Sequence, residues 1–349
     1  MKKAFNILEL SCLYCAAVIG AGFASGREIW QYFGRFGRYG LFSLILVCLL
    51  LAFTGCGIML RIRRTGCTSY QHFTIDIFGA KIGKFVTLCT AALLFCTFSV
   101  MLSGSGTLLS QELHLHYPLG MLVLCAVCFI LFLVDIKFIG RLNMILTLPM
   151  MIGIVVLGAY SFFYSDHSVL ASFGQLLDFK DHWYISAMIY LSYNLIAVPS
   201  VLVQFSGKIK TRRVAIWAGS IGGIFLGICG VCIYLSSRNP EHLLSSMPAL
   251  TTASHIGAHF KMYYAIVIYL SITTAAVSCG IGFLKHYCKQ IRPLTSAILC
   301  LAGFCVAMFG FGPLVEYVYT ICGTIGIVIA LVLLIVSAKE VFFIKKQRK

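Results

Sequence analysis

The sequence predicts an all-α polytopic membrane protein. It has ten transmembrane helices in a 5+5 inverted repeat, with helices 1 and 6 broken at mid-membrane. Three observations carry this: an apolar composition, the placement of lysine and arginine, and an internal echo at an offset near 175 residues. Of 349 residues, 60% are hydrophobic and 11% charged, with a mean hydropathy of +0.95. A soluble domain carries about 25% charged residues. No stretch is polar and long enough to form a separate soluble domain. The expectation is one integral membrane domain over 1–349, with halves at about 1–165 and 183–340.

Windows of about 20 apolar residues give spans at 6–33, 40–60, 84–109, 118–138, 141–164, 183–205, 213–236, 262–286, 294–311 and 314–337. The start, MKKAFNILELSCLYCAAVIGAGFAS, has the basic end, apolar core and small residues of a secretory signal. Further spans follow it and a matching segment occurs later, so it is read as the first span. Ten spans put both termini on one side. With that side cytoplasmic, 21 of the 27 Lys and Arg are inside, at positions 2–3, 61–64, 81–84, 137–141, 208–213, 285–292 and 339–349. Glu112, Asp166, Asp178, Asp181 and Glu241 fall outside. The net charge of +16 is thereby explained by topology. The basic tail KKQRK needs only an anionic inner leaflet as its partner, and no nucleic acid.

The echo runs along the chain. HYPLGMLVLCAVCF (116–129) aligns with IRPLTSAILCLAGF (291–304), placing Pro118 on Pro293, Cys125 on Cys300 and Phe129 on Phe304. Gly55 falls on Gly230 and Leu60 on Leu235. Five spans per half require opposite orientations, so loop 61–83 is inside and its partner 238–261 outside. Inverted repeats of this kind mark secondary transporters.

The first span contains VIGAGFASGREIW, with Gly20, Gly22 and Gly26 next to the charges of Arg27 and Glu28. A charge at the bilayer centre costs about 2.5–3.5 kcal/mol on insertion scales. The same offset leads to LSYNLIAVPSVLVQ, where Asn194, Pro199 and Ser200 interrupt the sixth span. Breakers in corresponding spans point to a solute site at the repeat interface. Ser25, Gly26 and Arg27 open the second half of helix 1, where free N–H groups and the dipole suit an anion; alternatively, Gly22-xxx-Gly26 is a close helix–helix contact. Tyr193, Asn194, Phe95, Phe98 and Ser99 are candidates for the pocket wall or plain packing. Three CxxC pairs (Cys12/Cys15, Cys125/Cys128, Cys229/Cys232) fall inside apolar helices and are read as packing. His114 and His116 are read as a wetted loop. No HExxH, GxSxG or phosphate loop is present, so an enzyme is not expected.

GAGFASGREI followed by FGRFGRYG resembles the YkvI-type amino-acid permeases of the amino acid–polyamine–organocation superfamily, which have the leucine-transporter fold. The resemblance covers essentially the whole chain. That family usually has Gln where this chain has Arg27. The resemblance implies a multi-pass protein of a bacterial cytoplasmic membrane. It would move a small zwitterionic or anionic solute, most simply an amino acid, by alternating access coupled to Na⁺ or H⁺, with no other cofactor. A nutrient receptor on the same fold, which binds an amino acid without transport, is the alternative. By the same resemblance, a substrate carboxylate docks on the amides near Gly22, Ser25, Gly26 and Arg27. Arg27, Glu28 and Glu316 form a gate, a proton-coupling carboxyl or a structural ion pair. Thr273, Thr274 and Ser278 join the carbonyls of Ile19 and Gly22 at a sodium site, or else bond their own helix.

Overall fold

The computed structural model describes residues 2–134, 136–164, 182–237, 245–288 and 291–343. Asp166, Asp178, Asp181, Arg238, Glu241, Lys289 and the tail 345–349 lie outside the described residues. Within them the regular structure is all helix: α1 Lys2–Val18, α2 Ala21–Ala24, α3 Arg27–Tyr32, α4 Gly37–Thr65, α5 Tyr70–Phe78, α6 Ala80–Leu113, α7 Tyr117–Phe132 and α8 Ile136–Tyr164. After these come α9 Trp183–Gln204, α10 Arg212–Ser236, α11 Pro248–Ile256, α12 Ala258–Tyr287, α13 Pro293–Ala307 and α14 Tyr319–Phe343. Among the described residues, seven helical stretches are long and apolar enough to cross a bilayer, while α7 and α13 are apolar but shorter. Large apolar side chains such as Leu49, Phe85, Ile152, Leu301 and Val328 are 59% or more exposed, as lipid contact requires. The chain is a multi-pass membrane protein.

The contacts sort the helix ends onto two faces. On one face, Lys208 pairs with Glu9, and Arg61 bridges Asp76 and Glu340, with Arg64 also on Glu340. On the other face, Lys261 pairs with Glu112 at 2.9 Å, and the Tyr234 hydroxyl donates to the Gly37 carbonyl at 2.6 Å. The core between the faces is built by α10 on α4, α12 on α6, and α9 on α14.

Two short helices occupy segments expected to be loops. α5 begins at Ser69, whose Oγ accepts the His72 N–H at 3.2 Å; α11 begins at Pro248. Each has nine residues, too few for a hydropathy window to register. One contact bears on the sequence echo: Cys125 Sγ donates to the Cys300 carbonyl (3.8 Å) and Cys300 Sγ to the Cys125 carbonyl (3.7 Å).

The first span breaks where expected. α1 stops at Val18, and the chain turns through α2 and Gly26 before α3. Gly26 is left-handed at φ +82°, and a Cβ there would lie 2.5 Å from Ser237 Oγ, so only glycine fits. The expected break in the sixth span is corrected. α9 runs unbroken from Trp183 to Gln204 through Asn194, Pro199 and Ser200. One proline removes one amide donor. The rest of the ladder holds because this helix is enclosed, with every residue from Tyr190 to Val203 buried.

Candidate solute-binding site

The break at 19–26 sits among α9, α12, α11 and α6, and its exposed backbone is satisfied by them, as a membrane interior demands. Ser271 Oγ donates to the carbonyls of Ile19 (3.4 Å) and Gly20 (3.3 Å). Tyr264 O–H donates to Ala24 O at 2.9 Å, and Ala249 N–H to Ser25 O at 2.9 Å. Met101 Sδ receives the Ala21 N–H at 3.2 Å.

Directly beside the break, the Glu28 carboxylate folds back onto Gly22. A Cβ on Gly22 would lie 2.2 Å from Glu28 Oε1, so this fold-back depends on the missing side chain. Glu28 Oε2 accepts the Tyr193 O–H at 2.8 Å. Four tyrosines cluster here. Tyr193 stacks on Tyr319 (centroids 4.9 Å apart) and meets Tyr190 edge-on (5.4 Å) and Tyr32 (5.9 Å). The Tyr32 hydroxyl shares a hydrogen bond with Thr320 Oγ1 at 3.1 Å, and its carbonyl accepts from Ser186 Oγ at 2.9 Å. Asn194 Nδ2 donates to Tyr190 O at 2.9 Å.

Of the expected site residues, Gly22, Glu28 and Tyr193 come together. Asn194 shares α9 with Tyr193, one turn beyond Tyr190. Ser25 and Gly26 are at the break, but their N–H groups are already used, by Ala21 O (2.9 Å) and Phe23 O (3.0 Å). Arg27 Nη1 donates to Ser245 O at 3.5 Å, so the expected pairing of Arg27 with Glu28 or Glu316 is corrected. Glu316 is exposed in a π-turn at Leu314–Val318, and its carbonyl accepts from Gln31 Nε2 at 3.5 Å. Phe98 and Ser99 lie on other faces of α6: Phe98 packs on Phe132 at 6.0 Å, and Ser99 Oγ donates to Phe95 O at 3.1 Å. On α6, Met101 and Gly104 meet the break, and a Cβ on Gly104 would lie 2.9 Å from that of Ala21.

The candidate sodium set is engaged internally. Gly22 O accepts from Ser25 Oγ (3.2 Å), Thr274 Oγ1 donates to Ser271 O (3.0 Å), and Ser278 Oγ accepts from Asn143 Nδ2 (3.0 Å). Thr273 bonds its own helix through Tyr269 O at 2.8 Å. Ser271 is the α12 hydroxyl that reaches the break, three residues before Thr274. Each of these oxygens has a hydrogen-bond partner within the protein, Ile19 O through Ser271 Oγ.

Sequence reasoning missed the ring partners Tyr32, Tyr190 and Tyr319, and it missed Glu9, which is 1% exposed. Glu9 was a legible signal as a charge within the first span. A polar cavity of about 320 Å³ opens on the face of the Glu9–Lys208 pair, lined by Thr68, Tyr70, Thr87, Ser200, Gln204, Lys285 and His286. The CxxC thiols pack inside helices; Cys15 Sγ donates to Gly222 O at 3.4 Å. His114 ends α6 in a left-handed conformation (φ 52°), and His116 precedes α7.

No family model matches the chain. Two proteins of Bacillus subtilis (strain 168) are similar to it along nearly its full length. The uncharacterized membrane protein YkvI is 26% identical over 324 residues, covering 91% of this chain and 92% of YkvI. The uncharacterized protein YyaD is 26% identical over 329 residues, covering 93% and 94%. Among solved structures, MhsT in complex with L-phenylalanine superposes with a TM-score of 0.69 at 15% identity, over 93% of this chain and 87% of MhsT. A manganese transporter of Eremococcus coleocola superposes at 0.63 and 13%, over 94% and 78%. The likeness to both solved neighbours is one of fold. The chain is similar to YkvI and YyaD along nearly its whole length and shares the fold of MhsT and of the manganese transporter.

Proposed function

We propose that this chain is a secondary active transporter, not an enzyme, that moves a small amino-bearing solute, an amino acid in the simplest case, by alternating access coupled to Na⁺ or H⁺. The observation that carries this is the helix break at 19–26, closed over by Glu28 and Tyr193 in the centre of the helix packing. A discontinuous helix leaves backbone groups for a solute where a continuous one has none. Among its structural neighbours, MhsT is seen with L-phenylalanine bound and another is a manganese transporter.

Ten spans in a 5+5 inverted repeat within one domain accompany this reading. Two facts support the repeat. The reciprocal Cys125–Cys300 contact joins residues 175 apart, as residues beside a pseudo-twofold axis must touch. The nine-residue helices α5 and α11 lie in loops that the repeat pairs. Both termini are placed on the cytoplasmic side of the membrane, the side holding most of the lysine and arginine.

The test is uptake of radiolabelled amino acids into proteoliposomes containing only this chain. The assay is run with an inward sodium gradient, an inward proton gradient, or neither. Gradient-dependent accumulation of one amino-acid class is expected and identifies the ion. Ligand binding without accumulation under any gradient would overturn transport in favour of a receptor.

A further inference from the structure

Among the described residues there are six acidic side chains. Glu9, Asp76, Glu112 and Glu340 each meet a lysine or arginine, and Glu316 is exposed. Glu28 is the remaining one. It is 2% exposed, and no cation among the described residues lies within 4.0 Å of it. An ionisable group kept in a membrane protein's interior without a partner is expensive and marks function. Its surroundings offer rings instead of charge: Tyr32, Tyr190, Tyr193 and Tyr319, the last two stacked at 4.9 Å. Ring faces attract organic cations, most strongly where water is excluded. An ammonium group has three donors and no acceptor, the complement of a carboxylate. The same place is poor for an anion. The N–H groups of Ser25 and Gly26 are spent, and the Arg27 guanidinium reaches Ser245 instead.

We propose that Glu28, enclosed by Tyr32, Tyr190, Tyr193 and Tyr319, is the seat for the ammonium group of the solute, which is therefore recognised by its cationic end and needs no carboxylate. This names the substrate class and rests on the transporter reading only for the flux; the seat itself would serve a receptor equally.

The experiment uses the full chain purified in detergent and three probes of matched size: ethylamine, L-alanine and propionate. Thermal unfolding is followed up to about 100 mM, a hundredfold above a millimolar Kd. Ethylamine and L-alanine are expected to raise the melting temperature and propionate to leave it unchanged. Glu28→Gln should weaken both amines at least tenfold. Because that variant could misfold, the wild-type protein is also treated with a hydrophobic carbodiimide, and Glu28 modification is read by mass spectrometry. Ethylamine should protect Glu28, and propionate should not. Stabilisation by propionate but not ethylamine, no stabilisation by either amine, unchanged ethylamine affinity in Glu28→Gln, or labelling indifferent to ethylamine would each overturn the proposal. Amine binding without flux in proteoliposomes leaves this inference standing and removes the transporter; amino-acid flux that ethylamine neither shares nor inhibits does the reverse.

Discussion

Glu9 and Lys208 provide a test of how the first half-helix is held. α1 ends at Val18, so it is a separate rod tethered near its middle by Glu9 to the turn after α9. Gly140 of α8 closes the pocket, since a Cβ there would lie 2.9 Å from Glu9 Oε1. The two partners differ: the Glu9 side chain is 2% exposed and that of Lys208 25%. Lys208→Met strands a carboxylate out of water, which costs about 3–5 kcal/mol for a buried pair. Glu9→Gln leaves an ammonium on a flexible stem that can turn to solvent, so about 1 kcal/mol or less is expected, as for an exposed pair. The double variant should resemble Glu9→Gln alone, giving a coupling of at least about 2 kcal/mol in a double-mutant cycle. In thermal unfolding of the purified protein, Lys208→Met should lower the midpoint by on the order of 10 °C. The reasoning fails if Glu9→Gln costs as much as Lys208→Met, or if the double variant costs their sum.

Other perturbations address the break. Gly22→Ala drives a Cβ into the Glu28 carboxylate and should break its bond to Tyr193, a loss of about 1.5–3 kcal/mol for a charged hydrogen bond; L-alanine affinity measured by thermal shift should fall tenfold or more. Gly26→Leu combines a left-handed backbone with a clash at Ser237 and should abolish binding while the protein still elutes as a folded species on size exclusion. Ser271→Ala frees the Ile19 and Gly20 carbonyls from their shared donor; a destabilisation of about 1–3 kcal/mol is expected, read by denaturant or thermal unfolding, and an unchanged midpoint would mean that water or another donor substitutes.

The fold was legible because a bilayer imposes a coarse rule on long apolar segments. Each expected span has a helical counterpart, and the break at Gly20–Gly26 appears in the expected residues, where glycines meet an adjacent charge pair in an apolar run. Side-chain partners were less legible. Which α6 residue faces the break depends on helix rotation, and Met101 faces it where Phe98 does not. Arg27 and Glu28 are adjacent in sequence, yet consecutive residues on a helix point about 100° apart; one reaches Ser245 and the other Tyr193. The tyrosine cluster draws on α3, α9 and α14, a convergence that no local pattern records.

Pro199 sharpens the asymmetry between the two halves. Its counterpart region in the first half is unwound, whereas α9 carries the proline within a continuous helix. The Leu195 carbonyl, in the residue directly after Tyr193 and Asn194, therefore lacks its usual amide donor within a buried stretch of the helix. A helix with one bond already missing is the cheapest place for a second opening. If the solute site must open through α9 in another state of the cycle, Pro199→Ala should strengthen the helix by up to about 3 kcal/mol of intrinsic propensity and slow exchange. The expected outcome is a melting temperature equal to or above that of the wild type, with L-alanine still bound and uptake into proteoliposomes reduced several-fold. A variant that transports at the wild-type rate would mean that α9 stays whole throughout, leaving the movement to the half-helix α1 and the pair that tethers it.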